Sequence, residues 1–364
     1  MNRLDLLAFG LVASCLFSLG CNATKTPTGT PPKYTLAVIP KGRTHEFWQS
    51  IERGARRAAA DLAQAGIPVE ILWEGPLKEN DTTEQINLVQ QFAGRGLSGL
   101  VLAPQDSKAC VPVVRETVDR GTPCVIIDSG LDAPELYVKY VATDNFNGGK
   151  MAAKHLLEAL AKAGVTAPKI ILFRYQAGSE STEQREAGFL TVLKAEIAKQ
   201  KAAGKPTIEI LSDNVYSGAT VETAQAAAGP LLVQFADKAD GIFAVNESAT
   251  TGLLNAMRSQ GLLKKQRIKV MGFDTSEAVL QALRDGELEG TIAQDPYRMG
   301  YLGVWTLVRH LEGDDVSGPS KNLSTGERLI TRENVDAPST RELVDPKLQA
   351  QRTIDVPQWP RRKD

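Results

Sequence analysis

Five polar residues in this sequence sit at or just beyond the end of a short apolar run. Asp128 follows "CVII", Arg185 lies in "STEQREAGF" beyond "KIILF", Asn246 follows "GIFAV", Asp274 follows "KVMGF" and Gln294 follows "GTIA". All five carry planar groups able to make paired hydrogen bonds. In "KGRTHEFWQSIERGARRAAADLA", Phe47 and Trp48 stand side by side where the run "YTLAVIP" gives way to a helical pattern. Planar donors and acceptors beside aromatic faces suit a sugar-like ring, whose C–H faces stack on aromatics while its hydroxyls need both kinds of partner. Plainer readings stand beside this one. Asp128, Asn246 and Asp274 can cap the next helix or turn, Arg185 can be a solvated helix residue, and the aromatic pair can be packing. No catalytic set competes. The sequence has no G-x-G-x-x-G, P-loop or G-x-S-x-G, and His45, His155 and His310 lack metal-ligand spacing, so neither cofactor nor metal is expected.

These residues need elements to bring them together, and the chain supplies a regular alternation. After Tyr34 come the strand-like runs "YTLAVIP", "VEILW", "GLVLA", "CVIID" and "YVAT", separated by amphipathic stretches at 47–65, 82–95 and 107–120. Beyond "TDNFNGG" the pattern restarts with "KIILF", "TIEIL", "GIFAV", "IKVMGF" and "GTIAQ", with helices at 147–163, 182–200, 219–236, 247–260 and 276–285 and a further one at 296–312. Continuous apolar strands between helices indicate parallel sheets covered on both faces, and two such series predict two similar α/β lobes. Side chains at carboxyl strand ends then share one edge of each sheet, and the two edges can face each other across a cleft. The 364 residues fit two domains, and 42 basic against 43 acidic residues, with no basic patch, argue against nucleic acid as a partner.

The two ends of the chain read differently. "MNRLDLLAFGLVASCLFSLGC" has a weakly basic start and an apolar run too short to span a bilayer comfortably, so 1–21 is expected to be a secretory signal. It ends at Gly20-Cys21, which resembles the processing site of bacterial lipoproteins and makes Cys21 the expected lipidated residue; "VASC" at Cys15 is the alternative. A Thr/Pro-rich tether fills 22–33, and 336–364 has no clear period and reads as an extended appendage. Cys110 opens a helix and Cys124 begins the next parallel strand, at opposite ends of a strand–helix–strand unit. A disulfide needs Cα atoms within about 7 Å, so two free thiols are expected.

The ordered set "EFWQSIERGARRAA", "VIIDS", "VATDNFNGGKMAA", "REAGF", "FAVNESATTGLLNAM", "VMGFDTSEAVLQAL" and "GTIAQDPYRMGYLGV" resembles the periplasmic sugar-binding proteins of the ribose-binding type, over residues 34–335. The resemblance implies a type I periplasmic binding fold with three crossings between lobes, near Thr143-Asp144, Gln294-Asp295 and residue 322. The lobes would comprise 34–143 plus 295–322 and 144–294 plus 323–335. It also implies that Phe47 and Trp48 sandwich a sugar, that Asp128, Arg185, Asn246, Asp274 and Gln294 bind its hydroxyls, and that Tyr216 is a further aromatic. The family pattern has Arg where this chain has Ser129, and a small polar residue and Asn in the first loop where it has Lys41 and His45, so the ligand need not be ribose. The implied role is a monomeric, lipid-anchored periplasmic protein, not an enzyme, that hands a sugar to the permease of an ABC importer. A receptor signalling to a membrane kinase or chemoreceptor shares every one of these features. A transcription regulator of the same fold would need a helix-turn-helix where the signal and tether stand. An enzyme would use Asp128 and Asp274 as a carboxylate pair.

Overall fold

The computed structural model describes residues 32–263 and 267–362. The first series of runs forms β1 (Tyr34–Ile39), α1 (Glu46–Gln64), β2 (Val69–Trp73), α2 (Thr82–Ala93), β3 (Gly99–Leu102), α3 (Val111–Asp119), β4 (Cys124–Ile127) and β5 (Lys139–Ala142). The chain then crosses at Thr143-Asp144 into α4 (Asn145–Lys162), β6 (Lys169–Arg174), α5 (Glu180–Ala202), β7 (Glu209–Tyr216), α6 (Val221–Phe235), β8 (Gly241–Ala244), α7 (Glu247–Ser259), β9 (Lys269–Phe273), α8 (Glu277–Arg284) and β10 (Gly290–Gln294). It returns at Asp295 through α9 (Pro296–Leu311) to β11 (Asn322–Ser324), and crosses again to β12 (Glu327–Ile330).

Two six-stranded sheets result, in the orders β11-β5-β4-β3-β1-β2 and β12-β10-β9-β8-β6-β7. All pairings are parallel except β12, which runs antiparallel to β10. The central strands "GLVL", "CVII" and "GIFA" are buried along their whole length, as parallel strands covered on both faces must be. Each sheet separates two apolar clusters, one under each helical layer.

The two orders superimpose when β1–β5 are matched to β6–β10, and the helices follow the same correspondence. In the first lobe α1 crosses α9 where Gly54 faces Tyr297 and Gly300 faces the Ile51 carbonyl. In the second, α5 crosses α4 where Gly188 faces the Phe146 carbonyl and Gly149 faces that of Arg185. A Cβ at any of these four positions would overlap backbone of the opposite helix, so the absent side chain is what lets each pair touch. Asp144 and Asp295, one residue before α4 and α9, each accept from the backbone N–H three residues on, a matched pair of N-caps at the first two crossings.

Two expectations are corrected. The third crossing falls at Thr325-Gly326 rather than near 322, because Asn322–Ser324 pairs with Tyr140–Ala142 and Leu323 packs into the first-lobe core. Residues 336–364 are also not merely extended. Pro338–Val344 and Pro346–Gln349 form α10 and α11, each with proline in its first turn. Leu343 and Val344 pack on the second-lobe core, Gln349 Oε1 accepts from Ser50 and Arg53 of α1, Arg352 pairs with Asp295, and Ile354 and Val356 pack on the first-lobe core. The tail therefore straps one lobe to the other. Cys110 and Cys124 are buried free thiols, and no helix among the described residues is long and apolar enough to cross a membrane.

Candidate functional site

The carboxyl ends of the two sheets meet, and the polar corners meet with them. Asp128 directly follows β4 and Asp274 directly follows β9, the matching strand of the other lobe. Both have left-handed backbone, with φ of 63° and 71°, and they are the two non-glycine residues with positive φ among those described. Each N–H still reaches the neighbouring strand, Asp128 to the Val141 carbonyl at 3.1 Å and Asp274 to that of Ile292 at 2.8 Å. The turned backbone ends the strand while both carboxylates line the interlobe cavity. Asp tolerates this conformation better than most residues, but it still costs of order 1 kcal/mol.

On the second-lobe side, Arg185 is 2% exposed and held from three directions. Its Nε donates to Asn145 Oδ1 at 2.9 Å, its Nη1 donates to the Val245 carbonyl at 2.9 Å, and its guanidinium lies 3.8 Å from the centre of the Phe273 ring. Asp274 Oδ2 stands 3.6 Å from Arg185 Nη1 and accepts from the Glu247 N–H, while Oδ1 accepts from Gln294 Nε2 at 2.6 Å. Burial raises the Asp274 carboxyl above its usual value, against the pull of Arg185 and Gln294. Asn246 borders the cavity, yet its Oδ1 caps α7 by accepting from Ala249 N–H, so its plainer role is real.

On the first-lobe side, Lys41 lies on the loop after β1. Gln105 holds that loop by donating to the Lys41 carbonyl, and Gln85 by donating to those of Pro40 and Ala103. Lys41 Nζ sits 3.2 Å from Asp128 Oδ2, both side chains being 4% exposed. Lys41 thus supplies a cation beside Asp128 where the following residue, Ser129, is neutral. Phe47 and Trp48 meet edge to face, with centroids 4.9 Å apart and planes at 89°, so they form a corner rather than one flat platform. Trp48 belongs to the first-lobe core and donates from Nε1 to Glu79 Oε1 at 2.8 Å.

The lobes are shut on one another by direct bonds. Lys41 Nζ donates to Ser179 and Ser181 at 3.1 and 3.2 Å, Tyr175 OH donates to Glu79 Oε2 at 2.8 Å, and Gly130 N–H donates to Glu180 Oε2 at 2.8 Å. Burial and the Glu79 carboxylate push the Tyr175 phenol well above its usual value, which keeps its proton in that bond. His45 Nδ1 lies 3.5 Å from Glu79 and 3.7 Å from Glu247, a carboxylate of each lobe. Burial opposes charge on this imidazole, but Glu247 and Glu79 outweigh it and raise the pKa to about 9. The enclosed space is about 30 Å³, which holds a water or two, so a sugar-sized ring requires the lobes to part. Two buried acceptors beside it, Glu247 Oε2 and Gln294 Oε1, have no donor within hydrogen-bond distance, the His45 Nδ1 standing 3.7 Å from the first.

Nine of the residues singled out in the sequence line this space: Lys41, His45, Phe47, Trp48, Asp128, Arg185, Asn246, Asp274 and Gln294. Ser129 does not; its Oγ accepts from the Ser181 N–H and so helps close the lobes. Tyr216 is a correction. It ends β7, the edge strand of its sheet, and its ring is 42% exposed under the Arg174 guanidinium, away from the cavity. Glu79, Tyr175, Ser179, Ser181, Thr182 and Glu247 also line this space and were not among the binding residues expected from the sequence. Among the described residues no cluster of His, Cys, Asp or Glu is placed to hold a metal. Cys15, Cys21 and the signal and tether up to residue 31 lie outside the described residues.

Comparison with known proteins gives a consistent result. A family model described as the periplasmic binding protein domain matches residues 36–315. A D-ribose/D-allose-binding protein of Pseudomonas aeruginosa is 29% identical over 313 residues, 85% of this chain and 91% of that one. A ribose import binding protein of Escherichia coli is 27% identical over 78% of this chain and 87% of its own. Among solved structures, an ABC transporter solute-binding protein from Agrobacterium vitis with bound D-fucose has a TM-score of 0.74 at 30% identity, covering 85% of this chain and 99% of that one. A carbohydrate transporter solute-binding protein from Agrobacterium radiobacter in complex with D-arabinose has a TM-score of 0.74 at 29% identity, covering 87% and 100%.

Proposed function

This chain belongs to the periplasmic binding protein family, with that family's type I fold of two parallel-sheet lobes, and we propose that it is a lipid-anchored solute-binding protein that captures a monosaccharide or related sugar between its lobes and delivers it to an ABC importer. One observation carries the reading: planar and charged groups from both lobes, Asp128 and Lys41 on one side and Arg185, Asp274 and Gln294 on the other, converge on a space bordered by aromatic rings. A ligand shifts a hinge equilibrium only through contacts that differ between open and closed forms, and groups on both faces of the cleft provide them. Glu247 Oε2, which has only the His45 ring nearby, and Gln294 Oε1, which has no donor, accept hydrogen bonds from hydroxyls, while the second Arg185 amino group donates to a ring or hydroxyl oxygen. The sugar-binding names of the relatives point the same way.

The closed surface, with Tyr175 on Glu79 and Glu180 on Gly130, is what a permease would read. Cys21 carries the lipid in this proposal. A thermal-shift screen over pentoses, hexoses and their modified forms tests the binding: a matching sugar raises the melting temperature with concentration, by mass action. If no sugar shifts the melt, the reading is wrong. Release of the protein from the membrane fraction by Cys21→Ala tests the anchor.

A further inference from the structure

Three residues of the cleft wall, Phe47, Asp274 and Gln294, also border a second cavity of about 530 Å³. It lies between the lobes, walled by the start of α1, the start of α8 and the strap of the C-terminal tail. Its size is that of a small-molecule site, for which 300–1,000 Å³ is usual. Its lining is amphipathic in the way a sugar ring needs. Leu280, Leu343 and Pro346 give apolar surface, and Ser276 and Arg53 give donors.

One polar group stands on the border of the two spaces and another in the second. Gln294 is 4% exposed, and its Oε1 has no hydrogen-bond partner. Arg53 is half-buried; its guanidinium donates to Gln349 Oε1 of the tail, at 3.0 Å from Nη2, and has no carboxylate at ion-pair distance among the described residues. Burial lowers its pKa, against the pull of Glu46 and Glu52. Phe47, Asp274 and Gln294 border both spaces, so a ring held in the cleft and a unit held in the second cavity would share that wall.

Resting on the sugar-binding reading above, we propose that this second cavity is a subsite for a further glycosyl unit, so that the preferred ligand is a disaccharide or glycoside rather than a free monosaccharide. The tail is part of that subsite, since Leu343, Pro346 and Gln349 build one wall. The residues matched by the family model end at 315, before the tail begins.

Calorimetry on the full chain tests this with pentoses and hexoses against lactose, melibiose, maltose and xylobiose. The expected result is a disaccharide that binds at least tenfold more tightly than either of its component sugars. Arg53→Ala and Gln49→Trp, the latter filling the cavity from an exposed position of α1, should each remove that advantage and leave monosaccharide affinity unchanged. Monosaccharides that bind while every disaccharide binds equally or less tightly would overturn the subsite and leave the sugar-binding reading standing. Variants that weaken both ligand classes alike would also overturn it. Absence of binding by any sugar would overturn both.

Discussion

Asp128 and Asp274 are the same residue of the fold used twice, each directly following the third strand from its sheet's far edge, each with left-handed backbone, and each facing the other lobe's groups across the cleft. Their surroundings differ. Asp128 is paired by Lys41 from a neighbouring loop, whereas Asp274 is shared among Arg185, Gln294 and the Glu247 N–H.

The second-lobe cluster should dominate affinity. Arg185→Ala and Asp274→Ala each remove one partner from a desolvated charged network, a loss of about 2–5 kcal/mol. Calorimetry with the sugar found by screening should show at least tenfold weaker binding, with circular dichroism of the folded protein retained. Wild-type affinity in both variants would place the ligand elsewhere.

Lys41 should matter for stability as well as binding. Lys41→Met leaves the 4%-exposed Asp128 carboxylate without its cation, and breaking a buried pair from one side costs about 3–5 kcal/mol. Adding Asp128→Asn should recover at least half of the loss in urea titrations. A double variant no more stable than Lys41→Met would mean the pair is not coupled.

The His45 contact between lobes gives closure a pH dependence. Its folded pKa of about 9 lies above the ordinary 6.5, so its contribution is fully present below 6.5 and is lost as pH rises through about 9. Melting temperature should fall between pH 7 and 10 more steeply in the wild type than in His45→Gln, and small-angle scattering should show a larger radius at pH 10. Parallel pH curves for the two proteins would remove His45 from closure.

The glycines at the helix crossings should fail as a matched pair. Gly149→Ala and Gly300→Ala each drive a methyl group into a backbone carbonyl of the opposite helix, so the helices must separate, and overpacking of this kind costs about 1–3 kcal/mol. Urea midpoints should drop in both, with the slope unchanged. An undisturbed midpoint in either would show that the crossing has slack.

The alternation of strands and helices was legible because fully apolar runs such as "CVII" and "GIFA" leave no other way to be buried on both faces. Strand-end residues such as Asp128, Asp274 and Gln294 were legible for the same reason: once the strand is known, the next polar residue lies at the sheet's edge. Tyr216 failed that logic because its strand is outermost, where a strand end no longer faces the cleft. Glu79 lies well beyond β2 in a loop with no pattern, and only its bonds to Trp48 and Tyr175, residues 31 and 96 positions away, disclose its place. The tail did carry a signal. Asp345-Pro346 and Ala337-Pro338 mark helix starts, but helices of seven and four residues are too short to show a period.

The strap formed by the C-terminal tail bears on the order in which the molecule can assemble. The second lobe's sheet needs one continuous stretch, β6 to β10, plus the short β12. The first lobe gathers β1 to β5, α9 and β11 from far downstream, and Ile354 and Val356 from the tail. Contacts between distant parts of a chain form late, because a long loop must close before they contribute. During synthesis the lobe made first is therefore the one finished last. The first lobe stays incomplete until Ile354 and Val356 are available, beyond Leu343 and Val344, which pack on the second-lobe core, so chains clipped between the two pairs should carry a complete second lobe beside an open first one.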